Sequence, residues 1–244
     1  MNQLKNQTIG QLVAEDYRTA QVFRSFNLDF CCGGNKTVKE ACKDRGVDYQ
    51  EVQQALRQLD EKQNGAQDNY NQWSLDFLID YIVNNHHKFS RNKLPEIGAY
   101  TKKVASVHGE NHPELKQIYH EFTMLHGEMI NHLDKEEEIL FPYVKQLVEA
   151  RQQGRKPDRP DFGQAADPIA MMEQEHDDAG AAMRTIRELS DDFTPPEDAC
   201  TTYQLLFENL EAFERDLHKH VHLENNILFP KALQLEKSLY QNRN

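Results

Sequence analysis

The sequence predicts an all-α protein: a small N-terminal helical domain followed by an antiparallel four-helix bundle with an internal duplication. Three observations predict it. Glycine and proline are sparse, 11 and 9 residues in 244, and gathered in a few places. Long windows carry the 3.6-residue hydrophobic period, and strand-like alternation is nearly absent. The stretch HLDKEEEILFP, His132 to Pro142, returns as HVHLENNILFP, His220 to Pro230, at a constant offset of 88.

Residues 1–60 read as short helices with frequent breaks. Thr8 is placed to cap the first, and a second holds Val22, Phe23 and Phe26. After NLDFCCGGNKT, two more follow Thr37 and Asp48, the latter with Val52, Leu56 and Leu59. The polar segment 61–70, EKQNGAQDNY, reads as a linker. The bundle occupies 71–244. Its first helix runs from about Ser74 to His108 with Pro95 expected to bend it, and its second from near Pro113 to Arg151. A polar, proline-containing connection leads to the third, about Pro168 to Ser190. The fourth follows TPPED and reaches about Tyr240. Short or exposed connections between four long helices imply antiparallel packing.

Bulk composition narrows the function. A formal net charge of −12 argues against a nucleic-acid partner, because phosphate binding relies on clustered Lys and Arg. No apolar run approaches the roughly 20 residues that cross a bilayer. The N-terminus lacks the apolar core of a signal peptide, and four cysteines without a spaced framework do not form a secreted disulfide scaffold. A cytoplasmic protein that binds neither membrane nor nucleic acid is expected. Eleven histidines exceed what that requires.

Helical phase aims some of them inward. Leu125, Met129, His132, Glu136, Ile139 and Tyr143 follow one seam of the second helix; Leu206, Leu210, Phe213, Leu217, His220 and Glu224 follow one seam of the fourth. The third helix gives Ile169, Met172, His176, Ala179, Met183 and Ile186, and the first gives Leu75, Ile79, Ile82, His86 and Phe89, with His87 off the seam. His86 lies 46 residues before His132 and His176 lies 44 before His220, each with an isoleucine seven residues upstream. A helix pair is thus duplicated, each copy supplying a lone histidine and an H-x-x-x-E.

A buried polar group left unpaired costs about 1–3 kcal/mol, and a carboxylate more. Six of them would rival a whole domain's stability of about 5–15 kcal/mol. A hydrogen-bonded network could compensate, as could metal. For six groups in matched positions metal is the stronger reading. Four imidazoles and two carboxylates are too many for one ion and suit two, with glutamates bridging. The lack of thiolates argues against structural zinc, and the imidazole count favours iron over manganese. Six-coordinate metals would keep a position for an oxo or hydroxo bridge and for a small ligand.

This half resembles the hemerythrin-like di-iron domain. Hemerythrin uses a fifth histidine, which the sequence does not place, so simple O₂ carriage fits less well. With DFCCGG, MLHGEM, KEEEILFP, EQEHDDAG, TPPEDACTT and HLENNILFP, nearly the whole chain resembles the iron-sulfur cluster repair di-iron (RIC) proteins. The resemblance implies six metal ligands, His86, His132, Glu136, His176, His220 and Glu224, holding two oxo/hydroxo- and carboxylate-bridged iron ions. It also implies repair of iron-sulfur clusters damaged by oxidative or nitrosative stress, through supply of iron. Damaged iron-sulfur proteins would be the partners and NO or O₂ the small ligands. A nitric oxide reductase and a gas-binding sensor remain as alternatives, so enzymatic activity stays open. A cysteine-tipped helical domain could also pack on a second copy, giving a homodimer.

Cys31 and Cys32 have two readings: a buried apolar pair, or a redox centre or transient iron ligand made accessible by positive-φ glycines at Gly33 and Gly34. The resemblance favours the second. Cys42 and Cys200 are expected to be structural; His87, His108, His112, His218 and His222 to face solvent or loops, with His120 and His126 at the surface; and Glu137 and Glu138 to form a solvated face. Glu128 and Asp216, four residues before His132 and His220, are candidate acceptors for ligand imidazoles.

Overall fold

The computed structural model describes residues 7–61 and 69–241, so most of the expected linker at 61–70 lies outside the described residues. The described chain is helical, as its periodicity predicts. α1 (Ile9–Glu15) and α3 (Val38–Arg45) each begin with a capping box: Thr8 with Gln11, and Thr37 with Glu40. α2 spans Thr19–Ser25 and α4 spans Tyr49–Glu61. A 3₁₀ turn, Tyr70–Gln72, precedes α5 (Leu75–Ile82). Then come α6 (Lys88–His108), α7 (Glu114–Lys135), α8 (Phe141–Gln152), α9 (Ala166–Leu189), α10 (Thr201–Leu223) and α11 (Phe229–Gln241). Among the described residues no helix is long and apolar enough to cross a membrane.

Among the described residues, three π turns join consecutive helices without ending them: Val83–His87 between α5 and α6, Glu136–Leu140 between α7 and α8, and Glu224–Leu228 between α10 and α11. The four long helices of the bundle are therefore α5–α6, α7–α8, α9 and α10–α11. The repeated ILFP encodes two of the π turns. Pro142 and Pro230 have no N–H, and in an α-helix the ring would press on the carbonyl four residues back. Widening the turn before each proline relieves this, and the amides of Phe141 and Phe229 then donate to the carbonyls of Glu136 and Glu224.

Each π turn delays the seam by about one residue, which corrects the expected phase. Ile139 is 48% exposed and Leu140 takes its place in the core at 1%. In the first helix Ser90, Leu94 and Ile97 are buried while Phe89 is only half-buried.

The chain divides into two compact units. One, Ile79–His220, is the body of the bundle, where α7 packs on both α6 and α9. Its core includes Phe122, Leu125, Leu133, Ile186 and Phe213. In the other, described residues up to 78 and from 221 onward, α1 packs on the Glu224–Leu228 turn and α2 and α3 pack on α4. The segment carrying Cys31 is tied to this unit by Asn226, whose Nδ2 donates to the carbonyls of Phe30 and Cys31, each at 3.2 Å.

Candidate metal centre

Within the bundle the predicted polar residues are buried: His86, His132, Glu136, His176 and His220 are all at or below 3% exposure. Glu224 is equally buried and follows His220 by one helical turn, so it leaves the same face of the fourth helix. One further residue joins them. His87, expected off the seam, is 1% exposed. In a straight helix adjacent side chains diverge by roughly 100°. Both histidines lie in the Val83–His87 π turn, whose wider winding narrows that angle and turns both inward. No proline follows this turn before Pro95, so the signal that marks the other two is missing here.

Two ligand groups form within the bundle. His87, Glu136 and His220 present donor atoms all within 4.8 Å of one another, as do His132, Glu136 and His176. His132 Nε2 lies 3.0 Å from His176 Nε2 and 3.3 Å from Glu136 Oε2. His87 Nε2 lies 3.2 Å from His220 Nε2 and 3.4 Å from the same oxygen. Two ligands at right angles on an ion with bonds of about 2.1 Å stand about 3 Å apart, so these spacings suit shared cations. His86 stands outside both groups.

The proton balance points the same way. His132 Nδ1 is 2.9 Å from Glu175, His87 Nδ1 is 2.9 Å from Glu137, and His86 Nδ1 is 2.9 Å from Asp216. The His132 hydrogen bond, helped by Lys135, holds the Glu175 carboxyl below its ordinary range. Burial pushes Glu137 up, but hydrogen bonds from His87 and Arg91 outweigh it and leave that carboxyl lowered too. An ionised carboxylate only accepts, so at His132 and His87 it is Nδ1 that carries a proton, and a neutral ring then presents its Nε2 lone pair inward. The Nε2 atoms of His87 and His132 stand 3.4 and 3.3 Å from the same buried Glu136 oxygen, close enough for a cation to be held by all three. The residues present therefore fit bound metal.

The orienting carboxylates were only partly foreseen. Asp216 acts as expected, although on His86; Glu128 is exposed and takes no such part. Glu137 was expected to be solvated but is half-buried on His87, with Arg91 bridging it to Asp134. Glu175, adjacent in sequence to His176, serves His132 across the helix pair and also meets Lys135. A cleft of about 330 Å³ opens here, lined by Glu128, Met129, His132, Lys135, Glu175 and Asp178.

In the other unit Cys31 is buried, Cys32 half-buried, and both are free thiols with sulfurs 3.9 Å apart. Asp29 Oδ1 accepts from the amides of both, and Asp29, Cys31 and Cys32 form a third group of mutually close donor atoms. The hydrogen bond with Cys32, reinforced by burial, pushes the Cys31 thiol well up. Neither Gly33 nor Gly34 has the expected positive φ; among the described residues the positive-φ glycines are Gly46, Gly154 and Gly163. Gly34 is needed for space instead: a Cβ there would collide with the Asn226 side chain and stand 2.8 Å from the Phe30 carbonyl.

Two of the remaining expectations change, at His222 and Cys200, while His112 stays at a loop as expected. His222 is fully buried, not solvent-facing; its Nδ1 accepts from Asn226 at 3.1 Å and its ring packs near Tyr17 and Phe30. His112 is half-buried and paired with Asp198 at 3.0 Å. Cys42 is buried, but Cys200 is exposed with its sulfur 3.2 Å from His108 Nε2.

A four-helix bundle around buried, carboxylate-anchored imidazoles is the build of a cation-binding protein, and comparison with known families agrees. The family described as "Hemerythrin HHE cation binding domain" matches residues 78–232, and "Domain of Unknown function (DUF542)" matches residues 5–60. The chain is 37% identical over 232 residues to the iron-sulfur cluster repair protein YtfE of Musicola paradisiaca, covering 95% of this chain and 98% of that one. The YtfE proteins of Dickeya chrysanthemi (37% identical, 95% and 99% covered) and Enterobacter sp. strain 638 (35%, 94% and 97%) are similar to the same extent. The chain belongs to the hemerythrin HHE cation-binding family and, along nearly its whole length, to the YtfE family of iron-sulfur cluster repair proteins.

Proposed function

We propose that this protein holds two iron ions and supplies iron to iron-sulfur clusters damaged by oxidative or nitrosative stress. One observation carries the reading: Glu136 belongs to both imidazole groups, the position of a carboxylate shared by two ions. His87 and His220 would hold one ion and His132 and His176 the other. Glu136 would bridge them, and Glu224, one turn after His220, would supply the second bridge. His87 thus takes the place expected for His86. The iron pair, when bound, would offer exchangeable Fe(II) and coordination positions for an oxo bridge or a small ligand such as NO or O₂.

The protein's own residues favour release as well as capture. Imidazoles hold Fe(II) less tightly than thiolate cages do. The cleft beside His132 brings solvent to the edge of the centre, and the carboxylates of Glu128, Glu175 and Asp178 there would attract a departing cation. Cys32, the more exposed sulfur, would be the first cysteine to meet iron in transit, with Asp29 as a hard co-ligand. Cys31 would follow once metal displaces its proton. The names of the YtfE relatives, which match along nearly the whole chain, support the repair role.

The test is anaerobic loading followed by transfer. Protein purified without oxygen should contain about two irons per chain, and the diferrous form should restore activity to a cluster enzyme inactivated by NO. Cys31→Ser/Cys32→Ser should keep the iron and slow the repair. Zinc alone, or no metal after anaerobic iron reconstitution, would end the di-iron reading. Full repair by the double serine variant would remove the cysteines from it.

A further inference from the structure

We propose that Cys200 is a thiol built for exchange with small disulfides, with His108 as its proton acceptor. The site is separate from the metal centre: Cys200 lies 20 residues before His220, about 30 Å along α10. Its Sγ stands 3.2 Å from His108 Nε2 and the residue is exposed, whereas Cys42, which packs as an apolar side chain, is buried. A thiol donating to Nε2 and a thiolate accepting from its N–H are the two ends of one proton transfer, so the contact is that of a nucleophile with its base. Cys200 also immediately precedes α10, a helix of 23 residues, and its carbonyl accepts from the amides of Tyr203 and Gln204 at 2.9 and 3.0 Å. Serine, threonine, aspartate and asparagine are preferred at that position because their oxygens cap the following amides. Here the side chain engages His108 instead, at the end of the helix where negative charge on sulfur is favoured.

The surroundings hold the pair in place. His108 closes α6, and one turn later His112 sets its Nε2 3.0 Å from Asp198, two residues ahead of Cys200, and its Nδ1 3.3 Å from Glu114. The Gln204 side chain donates to the Ala199 carbonyl at 3.2 Å. The buried Tyr203 ring packs 5.4 Å from the ring of His108 and 5.8 Å from that of His112. The segment entering α10 is thus pinned while the sulfur stays open to solvent. In the proposed step the Cys200 proton passes to His108 Nε2 and the sulfur attacks one sulfur of the small disulfide. A new S–S bond forms as the old one breaks, and the departing thiolate takes the proton back. Cys200 ends as a mixed disulfide, the released half of the reagent is reduced to a thiol, and attack by a second small thiol reverses the exchange.

The test treats the full chain, wild type and His108→Gln, with a limiting amount of 4,4′-dithiodipyridine, a neutral disulfide that Asp198 and Glu114 do not repel. Peptide mapping by mass spectrometry follows the rate at Cys200 apart from the other three cysteines. At pH 7, Cys200 should react about tenfold faster in wild type than in His108→Gln. From pH 7 to pH 6 the wild-type rate should fall by less than about threefold, where an unassisted thiol falls about tenfold. Equal rates at Cys200 in wild type and in a helical His108→Gln protein overturn the inference. If that variant does not fold, the wild-type pH dependence decides: a fall of about tenfold overturns the inference, and a fall below about threefold supports it.

Discussion

Replacing Glu175 probes how much of the centre's affinity is set outside the ligands. Its Oε2 lies 2.9 Å from His132 Nδ1 and its Oε1 meets Lys135. The carboxylate is ionised at neutral pH, because the hydrogen bond from His132 and the ammonium of Lys135 both favour the charged form. It fixes the His132 tautomer and raises the basicity of the inward nitrogen. Outer carboxylates of this kind contribute about 10–100-fold in metal affinity, or about 1.4–2.7 kcal/mol. Glu175→Gln keeps an acceptor oxygen but loses the charge, and a charge-assisted bond is roughly twice as strong as a neutral one. It should therefore weaken the metal on the His132–His176 side about tenfold. Glu175→Ala, which loses the acceptor as well, should approach 100-fold. Glu138→Gln, at an exposed position of the Glu136–Glu138 run, should do nothing. Anaerobic competition against a chromophoric Fe(II) chelator measures all three. A Glu175→Ala protein binding both irons within about twofold of wild type would refute the tautomer argument and the role assigned to His132.

Three further outcomes follow from the packing and the ion pairs. Leu140→Ala should cost about 2–5 kcal/mol in the metal-free protein and Ile139→Ala about 0.5 kcal/mol or less, read from urea midpoints at constant slope; equal costs would mean that the π turn is absent. Gly34→Ala should destabilise the smaller unit by about 1–3 kcal/mol, followed by the emission of Trp73, the single tryptophan, and Asn226→Ala in the same chain should recover part of that loss. Strict additivity would show that the methyl does not meet Asn226. Asp198 raises the His112 pKa, so their pairing stabilises the fold below the ordinary histidine value near 6.5 and fades as pH rises through the raised value. Asp198→Asn should lower Tm at pH 5.5 and leave it unchanged at pH 9; an equal drop at both would assign the loss to something other than charge.

Most of the fold was legible because its signals are local and repeated. Capping residues at Thr8 and Thr37, seam residues every three or four positions, and a duplicated H-x-x-x-E each reflect physics within one or two helical turns. What escaped was whatever breaks that period or lies across the fold. A constant 3.6-residue phase put Ile139 in the core and His87 outside it, because winding changes at three places and only two carry a proline to announce it. The acceptors for His132 and His87 lie 43 and 50 residues away in sequence, so no spacing rule could find them. The burial of His222 depends on Tyr17 and the Phe30 segment, far from it in the chain. The glycine pair was assigned the wrong reason: Gly34 is small because an asparagine side chain occupies the space, not because its φ is positive.

The two copies of the repeat part company immediately after the ligand glutamate. One reads Glu136-Glu137-Glu138 and the other Glu224-Asn225-Asn226, each ahead of the same ILFP. Whatever ancestral helix pair was doubled, these two positions are where the halves acquired separate occupations. In the first, a carboxylate secures the imidazole of His87 in the buried cluster. In the second, an amide secures the backbone of a cysteine-bearing loop. An amide at position 137 would surrender the charge that His87 needs, and a carboxylate at 226 would set an acceptor against the carbonyls of Phe30 and Cys31. Descent from a symmetric pair has left a chain whose halves can no longer stand in for one another, and under the proposed di-iron reading the two ions would not have to leave at the same rate.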